Sequence, residues 1–151
     1  FILAPIALQP ALKDFLSLLN AAKIEYLVVG GYAVGLHGYP RATGDLDIWI
    51  PMNWETSQAI ASVLLKFGFS QDTIGSEFEL HERQIIRMGM PPLRIELLTT
   101  PSGAEFVDCF GRRESVVLDE IEVTYIGLDD LKRNKAAAGR PKDLADLDNL
   151  P

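Results

Sequence analysis

Two aspartates separated by one residue, Asp45 and Asp47, have the spacing that most directly suggests chemistry. On a strand, side chains two residues apart point to the same face, with backbones about 6.5 to 7 Å apart. Two like charges so placed repel each other, and a divalent cation relieves the repulsion because hard cations prefer oxygen ligands. Two solvated carboxylates at a strand end are the alternative. The apolar neighbours Leu46, Ile48 and Trp49 favour a central strand with a buried face, and hence the metal site.

A third carboxylate, Glu96, is isolated among apolar residues in a strand that we place beside the aspartate strand. A charge in such surroundings is rarely left unpaired. It either forms a salt bridge with Arg94, two residues away on the same strand face, or completes a three-carboxylate cluster for one or two metal ions. The residues themselves leave both alternatives open.

A glycine pair, Gly30-Gly31, joins a short apolar strand to a helix. Backbone N–H groups at such a helix start are accessible to a polyphosphate, and the helix dipole adds positive potential there. A side chain larger than hydrogen would block that approach. The alternative is a tight strand-to-helix turn that binds nothing.

A basic segment near the end of the chain is the second charged feature. Within eleven positions that contain no acid lie five bases: Lys132, Arg133, Lys135, Arg140 and Lys142. A solvated helix face with charges favourable to the helix dipole is one explanation. Phosphate binding, including the end of an RNA chain, is the other.

Other side chains carry weaker signals. His37 follows the glycine pair, where contact with a base or ribose competes with an ordinary structural role, and we favour the structural role. Cys109 is the only cysteine, which excludes intramolecular disulfides and cysteine-built zinc sites and favours a reducing, cytoplasmic compartment. We expect it in the core. No zincin motif, serine nucleophile elbow or Walker sequence is present.

Hydrophobic periodicity predicts the elements that must position these residues. Helices are predicted at Ala11–Lys23, Tyr32–Leu36, from the cap Asn53 to Phe67, and at Leu128–Ala138 and Leu144–Leu150. Strands are predicted at Glu25–Val29, Asp45–Ile50, Gln84–Met88, Leu93–Leu98, Val116–Leu118 and Ile121–Tyr125, with a turn at Met90-Pro91-Pro92. This order predicts an α/β fold of the α+β type: a central mixed sheet with helices against one face and two C-terminal helices.

Composition limits the classes of function. With 151 residues, 48% hydrophobic and 23% charged, residues 1–151 are expected to form one globular domain. The net charge of −7 argues against a broad basic face for duplex DNA or an anionic membrane. The longest charge-free run, Tyr26–Pro40, contains four glycines and is too short for a membrane span, which needs roughly 18 apolar residues.

Taken together, the glycine pair, Asp45-Leu46-Asp47 and Glu96 resemble the nucleotidyltransferases of the DNA polymerase beta superfamily. Two further stretches are similar to the minimal and AbiEii-type members, some of which are toxins of toxin-antitoxin pairs: Arg41-Ala-Thr-Gly-Asp-Leu-Asp and Asn134-Lys135 through Gly139-Arg140-Pro141-Lys142-Asp143-Leu-Ala-Asp146. Two positions depart from the commonest pattern. Many members have Ser at the position of Gly31, and Asp is frequent at that of Glu96.

The resemblance implies a nucleotidyltransferase-like fold and a Mg²⁺-dependent transfer of a nucleoside monophosphate from an NTP to an acceptor hydroxyl, with one or two ions and Mn²⁺ as a substitute. It implies that the catalytic and metal-binding residues are Asp45, Asp47 and Glu96. It implies that the nucleotide contacts are Gly30, Gly31, Arg41, Thr43, Lys135 and Asp143.

The acceptor implied by the resemblance is an RNA end such as that of tRNA, a protein, or a small molecule. A chain of this length leaves little room for an acceptor domain, so either the acceptor is small at its reactive end, or an antitoxin partner or a homodimer supplies the missing surface. A non-catalytic module of the same fold that binds a nucleotide or a partner is the alternative function. The presence of all three acids favours the enzyme.

Overall fold

The computed structural model describes residues 8–40, 43–75, 78–90, 93–101 and 103–151, and within them the chain forms six strands and seven helices. The helices are α1 (Pro10–Ala21), α2 (Gly30–Leu36), α3 (Trp54–Phe67), α4 (Gln71–Ile74), α5 (Phe106–Gly111), α6 (Leu128–Ala138) and α7 (Pro141–Asn149). The strands are β1 (Leu27–Val29), β2 (Asp45–Trp49), β3 (Ile85–Met90), β4 (Leu93–Leu98), β5 (Glu114–Leu118) and β6 (Ile121–Tyr125).

Local sequence signals explain where the main helices begin and end. Pro10 occupies the first turn of α1, where its missing N–H costs nothing. The side chain of Asn53 accepts a hydrogen bond from the Thr56 amide at 2.7 Å, which confirms the predicted cap of α3. Gly139 ends α6 in the left-handed conformation at φ 63°, and Pro141 then starts α7.

The strands form one six-stranded sheet in the order β3-β4-β2-β1-β6-β5. The pairs β2–β4 and β1–β6 are parallel, whereas β1–β2, β3–β4 and β5–β6 are antiparallel. The sheet is therefore mixed, as predicted. The central strands β2 and β4 carry the three candidate carboxylates, and the glycine pair follows directly after β1, at the start of α2.

Helices cover both faces of the sheet, so the expectation of one covered face was wrong. One core cluster joins α1 and α3 to the face that carries Leu46 and Ile48. The other joins α2, α5 and α6 to the face that carries Trp49. The apolar residues of β1, Leu27 to Val29, divide between the two clusters because successive side chains of a strand point to opposite faces.

Other predicted elements differ from the structure or lie partly outside the described residues. Helix α7 begins at Pro141, where we predicted Leu144, because the apolar periodicity starts a turn later than the backbone helix. Helices α4 and α5 were not predicted, since α4 buries no side chain and α5 buries only Cys109. The predicted Met90-Pro91-Pro92 turn lies partly outside the described residues. No helix of the described residues is both long and apolar enough to span a bilayer.

Candidate functional site

A cavity of about 1530 Å³ opens where β1 ends and β2 and β4 begin. It exceeds the roughly 300–1,000 Å³ typical of small-molecule sites. Eight described residues carry a catalytic, metal-binding or nucleotide-binding role predicted from the resemblance, and seven of them line the cavity: Gly30, Gly31, Thr43, Asp45, Asp47, Glu96 and Lys135. Asp143 does not line the cavity, and Arg41 lies outside the described residues.

Strand register brings the acids together. Because β2 and β4 are parallel neighbours, Asp47 lies directly opposite Glu96, and Asp45 lies opposite Arg94. Paired strands lie about 4.8 Å apart, so the two acids project side by side from the same face. The spacing of Asp45 and Asp47 on one strand, predicted from the sequence, is thus completed by a third acid from the next strand.

Asp47 is the least satisfied side chain of this group. Its Oδ1 atom is buried and has no hydrogen-bond partner within the described residues. Burial, followed by the charge of Glu96, a side-chain hydrogen bond with Glu96 and the charge of Asp45, raises the pKa of Asp47 to about 7, while the positive charge of Lys142 acts in the opposite direction. A buried oxygen without a donor costs free energy unless a ligand completes it.

Two arginines hold the other acids. Arg94 donates from Nη2 to Asp45 Oδ2 at 3.1 Å, and Arg87 donates from Nε to Glu96 Oε1 at 3.1 Å. The Nε atom of Arg94 lies 3.4 Å from Glu96 Oε1, within ion-pair distance but without hydrogen-bond alignment. Glu96 therefore forms the predicted ion pair with Arg94 and also lies beside Asp47, but the three-carboxylate cluster of the other alternative is not formed among the described residues.

These residues fit a divalent cation, although no three acidic, histidine or cysteine side chains of the described residues form a closed metal cluster. The cluster predicted from the sequence is incomplete because Asp45 is directed to Arg94. The Oδ1 atom of Asp47 supplies a ligand oxygen with no competing donor, and Glu96 adds a second carboxylate. Oxygen ligands of this kind are those that Mg²⁺ prefers.

Gly30 makes the position of Asp47 possible. Its φ is +66°, and a Cβ atom built on it would lie 2.2 Å from Asp47 Oδ2. Only glycine adopts this backbone without strain while leaving room for the carboxylate. From the sequence, Gly30 was expected either to give access to a phosphate or to form a tight turn, whereas in the structure its missing side chain leaves room for the Asp47 carboxylate. Gly31 is buried in the first turn of α2.

Thr43 supports the start of β2. Its hydroxyl donates to the Asp45 carbonyl at 3.3 Å and lies 3.4 Å from the Asp45 amide. The side chain lines the cavity beside the acids. It therefore fixes the backbone that presents Asp45.

Lys135 and Asp143 form a buried ionic group between α6 and α7. The Lys135 ammonium lies 3.3 Å from Asp143 Oδ1 and 3.0 Å from Asp146 Oδ2, and only 5% of its side chain is exposed. Asp143 also accepts from Arg140 Nε at 2.7 Å. Although burial opposes it, hydrogen bonding to Arg140 and Lys135 lowers the pKa of Asp143 below its usual value. The two predicted nucleotide contacts are thus bonded to each other.

Sequence reasoning missed a further group of ion pairs at the cavity, centred on Asp130. Asp130 is buried and accepts from Arg112 Nε and Nη2, both at 3.0 Å, and from Arg133 Nη2 at 3.1 Å. Nothing in the sequence spacing links Arg112 with Asp130, because the contact joins α6 to the end of α5. The pairing of Arg87, on β3, was missed for the same reason: its partner Glu96 lies on another strand.

Two weaker candidates have structural roles. His37 Nε2 lies 2.6 Å from the Ile126 carbonyl oxygen, and its ring packs against Tyr125. Cys109 is buried in the cluster under Trp49. These contacts agree with the structural role predicted for His37 and with the core position predicted for Cys109.

Three comparisons with known proteins bear on this site. The family model for aminoglycoside-2''-adenylyltransferase matches residues 11–105. Among solved structures, a Thermotoga maritima protein described as a candidate nucleotidyltransferase, TM1012, aligns over 91% of this chain and 88% of its own, with 16% identity and a TM-score of 0.62. The lincosamide antibiotic adenylyltransferase LnuA, with lincomycin bound, aligns over 95% and 96%, with 15% identity and a TM-score of 0.59. No curated protein matches.

The two structural likenesses confirm the nucleotidyltransferase-like fold predicted from the sequence. The matched family segment contains the glycine pair and all three acids. It ends before the helices that carry Lys135 and Asp143.

Proposed function

Because the chain belongs to the aminoglycoside-2''-adenylyltransferase family, and is thus a nucleotidyltransferase, we propose that it transfers AMP from ATP to a hydroxyl group of a small molecule. In this reaction the acceptor oxygen forms a bond to the α-phosphorus, the bond from that phosphorus to the bridging oxygen breaks, and pyrophosphate leaves. The hydroxyl proton passes to a base. A small-molecule acceptor is supported by LnuA, which has the same fold and is a lincosamide antibiotic adenylyltransferase.

The observation that carries the proposal is the pairing of Asp47 and Glu96 at the floor of a large cavity. Asp47 presents a buried oxygen without a donor, and Glu96 projects beside it from the neighbouring strand. A structural carboxylate pair would be expected to have its oxygens satisfied. An unsatisfied one is expected where a ligand completes it.

The acids have distinct proposed roles. Asp45, Asp47 and Glu96 would hold the magnesium ion. When bound, this ion would neutralise phosphate charge and lower the pKa of the acceptor hydroxyl. Glu96 would accept the proton of the hydroxyl, because its carboxylate lies within the cavity beside Asp47. Arg87 and Arg94, which are bonded to Glu96 and Asp45, would orient these carboxylates.

The nucleotide contacts remain proposals. Gly30, Gly31 and Thr43 line the cavity next to the acids, so their backbone groups and hydroxyl are available to the triphosphate. Arg41, two positions before Thr43, is still proposed as a nucleotide contact, as the resemblance implies. For Lys135 and Asp143 the buried ion pairs favour a supporting role instead.

The identity of the acceptor is tested by its labelled product. Purified protein is incubated with α-³²P-labelled ATP and Mg²⁺, either with a panel of hydroxylated aminoglycosides and lincosamides or with total RNA. We expect label on a small molecule. Label on RNA would replace this acceptor with the one implied by the resemblance to AbiEii-type toxins.

Asp47→Asn tests whether the cavity performs the transfer. The control is Asp14→Asn, which makes the same change at an exposed position of α1, on the opposite face of the sheet. Transfer should disappear in the first variant and persist in the second. No transfer to any acceptor by the unaltered protein, together with intact ATP binding, would support the non-catalytic nucleotide-binding module instead.

A further inference from the structure

The structure divides the five bases of the basic segment by what each one contacts. Lys132 contacts the Pro151 carbonyl, away from the cavity. Arg133 pairs with Asp130, Lys135 with Asp143 and Asp146, and Arg140 with Asp143. Lys142 lines the cavity, and within the described residues no ion pair includes it.

The corner between α6 and α7 fixes the position of Lys142. Gly139 reverses the chain in the left-handed conformation, Arg140 caps α7, and Pro141 occupies its first position. Asp143 anchors the corner from inside, since it accepts from the Arg140 amide at 3.2 Å and from Lys135. Lys142 is therefore presented on a rigid first turn.

Lys142 lies close enough to the acids to affect them. Its charge lowers the pKa of Asp47 against the larger effects of burial and of the neighbouring acids. The carboxylates of Asp47 and Glu96 in turn contribute, after Asp143, to raising the pKa of Arg140. The first turn of α7 and the acid pair thus border the same cavity.

A lysine at this position has no evident structural benefit. The N-terminus of a helix carries partial positive charge, so a cation in the first turn of α7 is unfavourable for the helix itself. It also lacks the acidic partner that each of Arg133, Lys135 and Arg140 has. A ligand with several negative charges in the cavity would supply that partner.

We propose that Lys142 is the side chain that binds the triphosphate of the incoming nucleotide, and that the buried Lys135–Asp143 pair positions it. This inference rests on the proposed function, because it requires an NTP in the cavity. It transfers the phosphate contact, assigned to Lys135 from the sequence, to a basic residue that is exposed to the cavity without an ion-pair partner among the described residues. Removing the Lys142 charge should leave the helix as stable or make it more stable while weakening nucleotide binding, and these two effects can be measured separately.

The test is the affinity of Lys142→Gln for magnesium α,β-methylene-ATP, which cannot be cleaved between the α and β phosphates, measured by calorimetry. Loss of one charge-assisted hydrogen bond corresponds to about tenfold to a hundredfold weaker binding. Affinity for AMP should stay unchanged, and affinity for inorganic tripolyphosphate should fall with that of the nucleotide. Lys142→Arg should restore most of the affinity.

The matched control is Lys132→Gln, which removes the same charge from the same segment away from the cavity. The melting temperature of Lys142→Gln should equal or exceed that of the unaltered protein, which separates lost binding from lost folding. Equal nucleotide affinity in Lys142→Gln and the unaltered protein, or an equal loss in Lys132→Gln, would overturn the inference and leave the proposed function standing. If the unaltered protein binds no nucleotide, the proposed function fails and this inference fails with it.

Discussion

Two groups of charged side chains border the same cavity, and they differ in how completely their charges are satisfied. On β2 and β4, Asp47 and Glu96 lie beside each other, and one oxygen of Asp47 has no partner in the described part of the chain. Between α6 and α7, Lys135 lies between Asp143 and Asp146 within 3.3 Å of both. The acids of the first group can therefore still bind a ligand, whereas the charged side chains of the second group bind one another.

This difference in charge satisfaction distinguishes the group that we expect to bind a ligand from the group that stabilises the fold. A buried ionic group whose members bind each other is stable as it stands, and removing one member leaves an uncompensated charge. Adjacent carboxylates without a cation destabilise the fold, so selection for stability alone would remove them. We therefore expect opposite responses when each group is altered.

The largest expected effect is on catalysis. Asp47→Asn should reduce AMP transfer by about a thousandfold to ten-thousandfold, or about 4 to 5.5 kcal/mol, because it removes an oxygen that we propose as a ligand of the metal. The same variant should have a higher melting temperature than the unaltered protein without added Mg²⁺, because a buried charge next to Glu96 is neutralised. Transfer assays and thermal unfolding measure both effects.

The control for that variant is the response to Mg²⁺. The cation should raise the melting temperature of the unaltered protein and have no effect on Asp47→Asn, since a ligand stabilises only a state that binds it. A variant that is less stable than the unaltered protein would contradict the assignment of Asp47 to an unsatisfied group.

The second effect is on folding. Lys135→Met should lower the free energy of unfolding by about 3 to 5 kcal/mol, because Asp143 and Asp146 then remain buried without their cation. Lys132→Met makes the same change in the same helix at a half-buried site without an acidic partner there, and should cost less than about 1 kcal/mol. Urea unfolding compares the two variants. Similar costs would show that the buried group does not support the fold.

Sequence spacing predicted the parts of the site that are close in sequence or repeat along one strand. The Asp45 and Asp47 pair, the Asn53 cap and the bounds of α6 follow from patterns within a few residues. The placement of the strand that carries Glu96 beside the aspartate strand was predicted, and the pairing of β2 with β4 confirms it. The register that brings Glu96 opposite Asp47 was not predicted.

The remaining contacts depend on tertiary packing. Both Lys135 and Lys142 line the cavity, and nothing in the spacing of the basic segment predicts that Lys135 is buried between two aspartates whereas Lys142 is exposed. That distinction arises from the corner that Gly139 and Pro141 make between two helices. The pair formed by Arg112 and Asp130 joins positions that no local pattern connects.

The third effect tests the fit between Gly30 and Asp47. Both Gly30 and Gly38 have a positive φ, but a Cβ atom would collide with Asp47 Oδ2 at the first and meet nothing within 4 Å at the second. Each alanine variant should lose about 1 kcal/mol to backbone strain, and Gly30→Ala about 1 to 3 kcal/mol more to the collision. Gly30→Ala should also lose transfer activity, whereas Gly38→Ala should keep it. Equal free energies of unfolding for Gly30→Ala and Gly38→Ala would mean that the Asp47 side chain moves aside at no cost in free energy.

The smallest effect is the pH dependence of the satisfied acids, for which Asp130 is the clearest case. Hydrogen bonding to Arg112, followed by the charges of Arg112 and Arg133 and opposed by burial, lowers the pKa of Asp130 in the folded protein. The unfolded chain therefore takes up the proton first as the pH falls, so the stabilisation is complete above the ordinary aspartate pKa of about 3.9 and is lost through the lower, folded value.

Comparison of Asp130→Asn with the unaltered protein should reveal that stabilisation directly. The variant should be less stable by about 1 kcal/mol at pH 6, since both arginines are more than half exposed and solvent screens the pair. The difference should shrink below about pH 4, where the unaltered protein also loses the charge. Asp129→Asn, at the exposed neighbouring position, should show a smaller difference at pH 6. A difference for Asp130→Asn that stayed constant down to pH 3 would mean that the carboxylate contributes by its shape and not by its charge, and the contrast with Asp47 would then not be one of charge satisfaction.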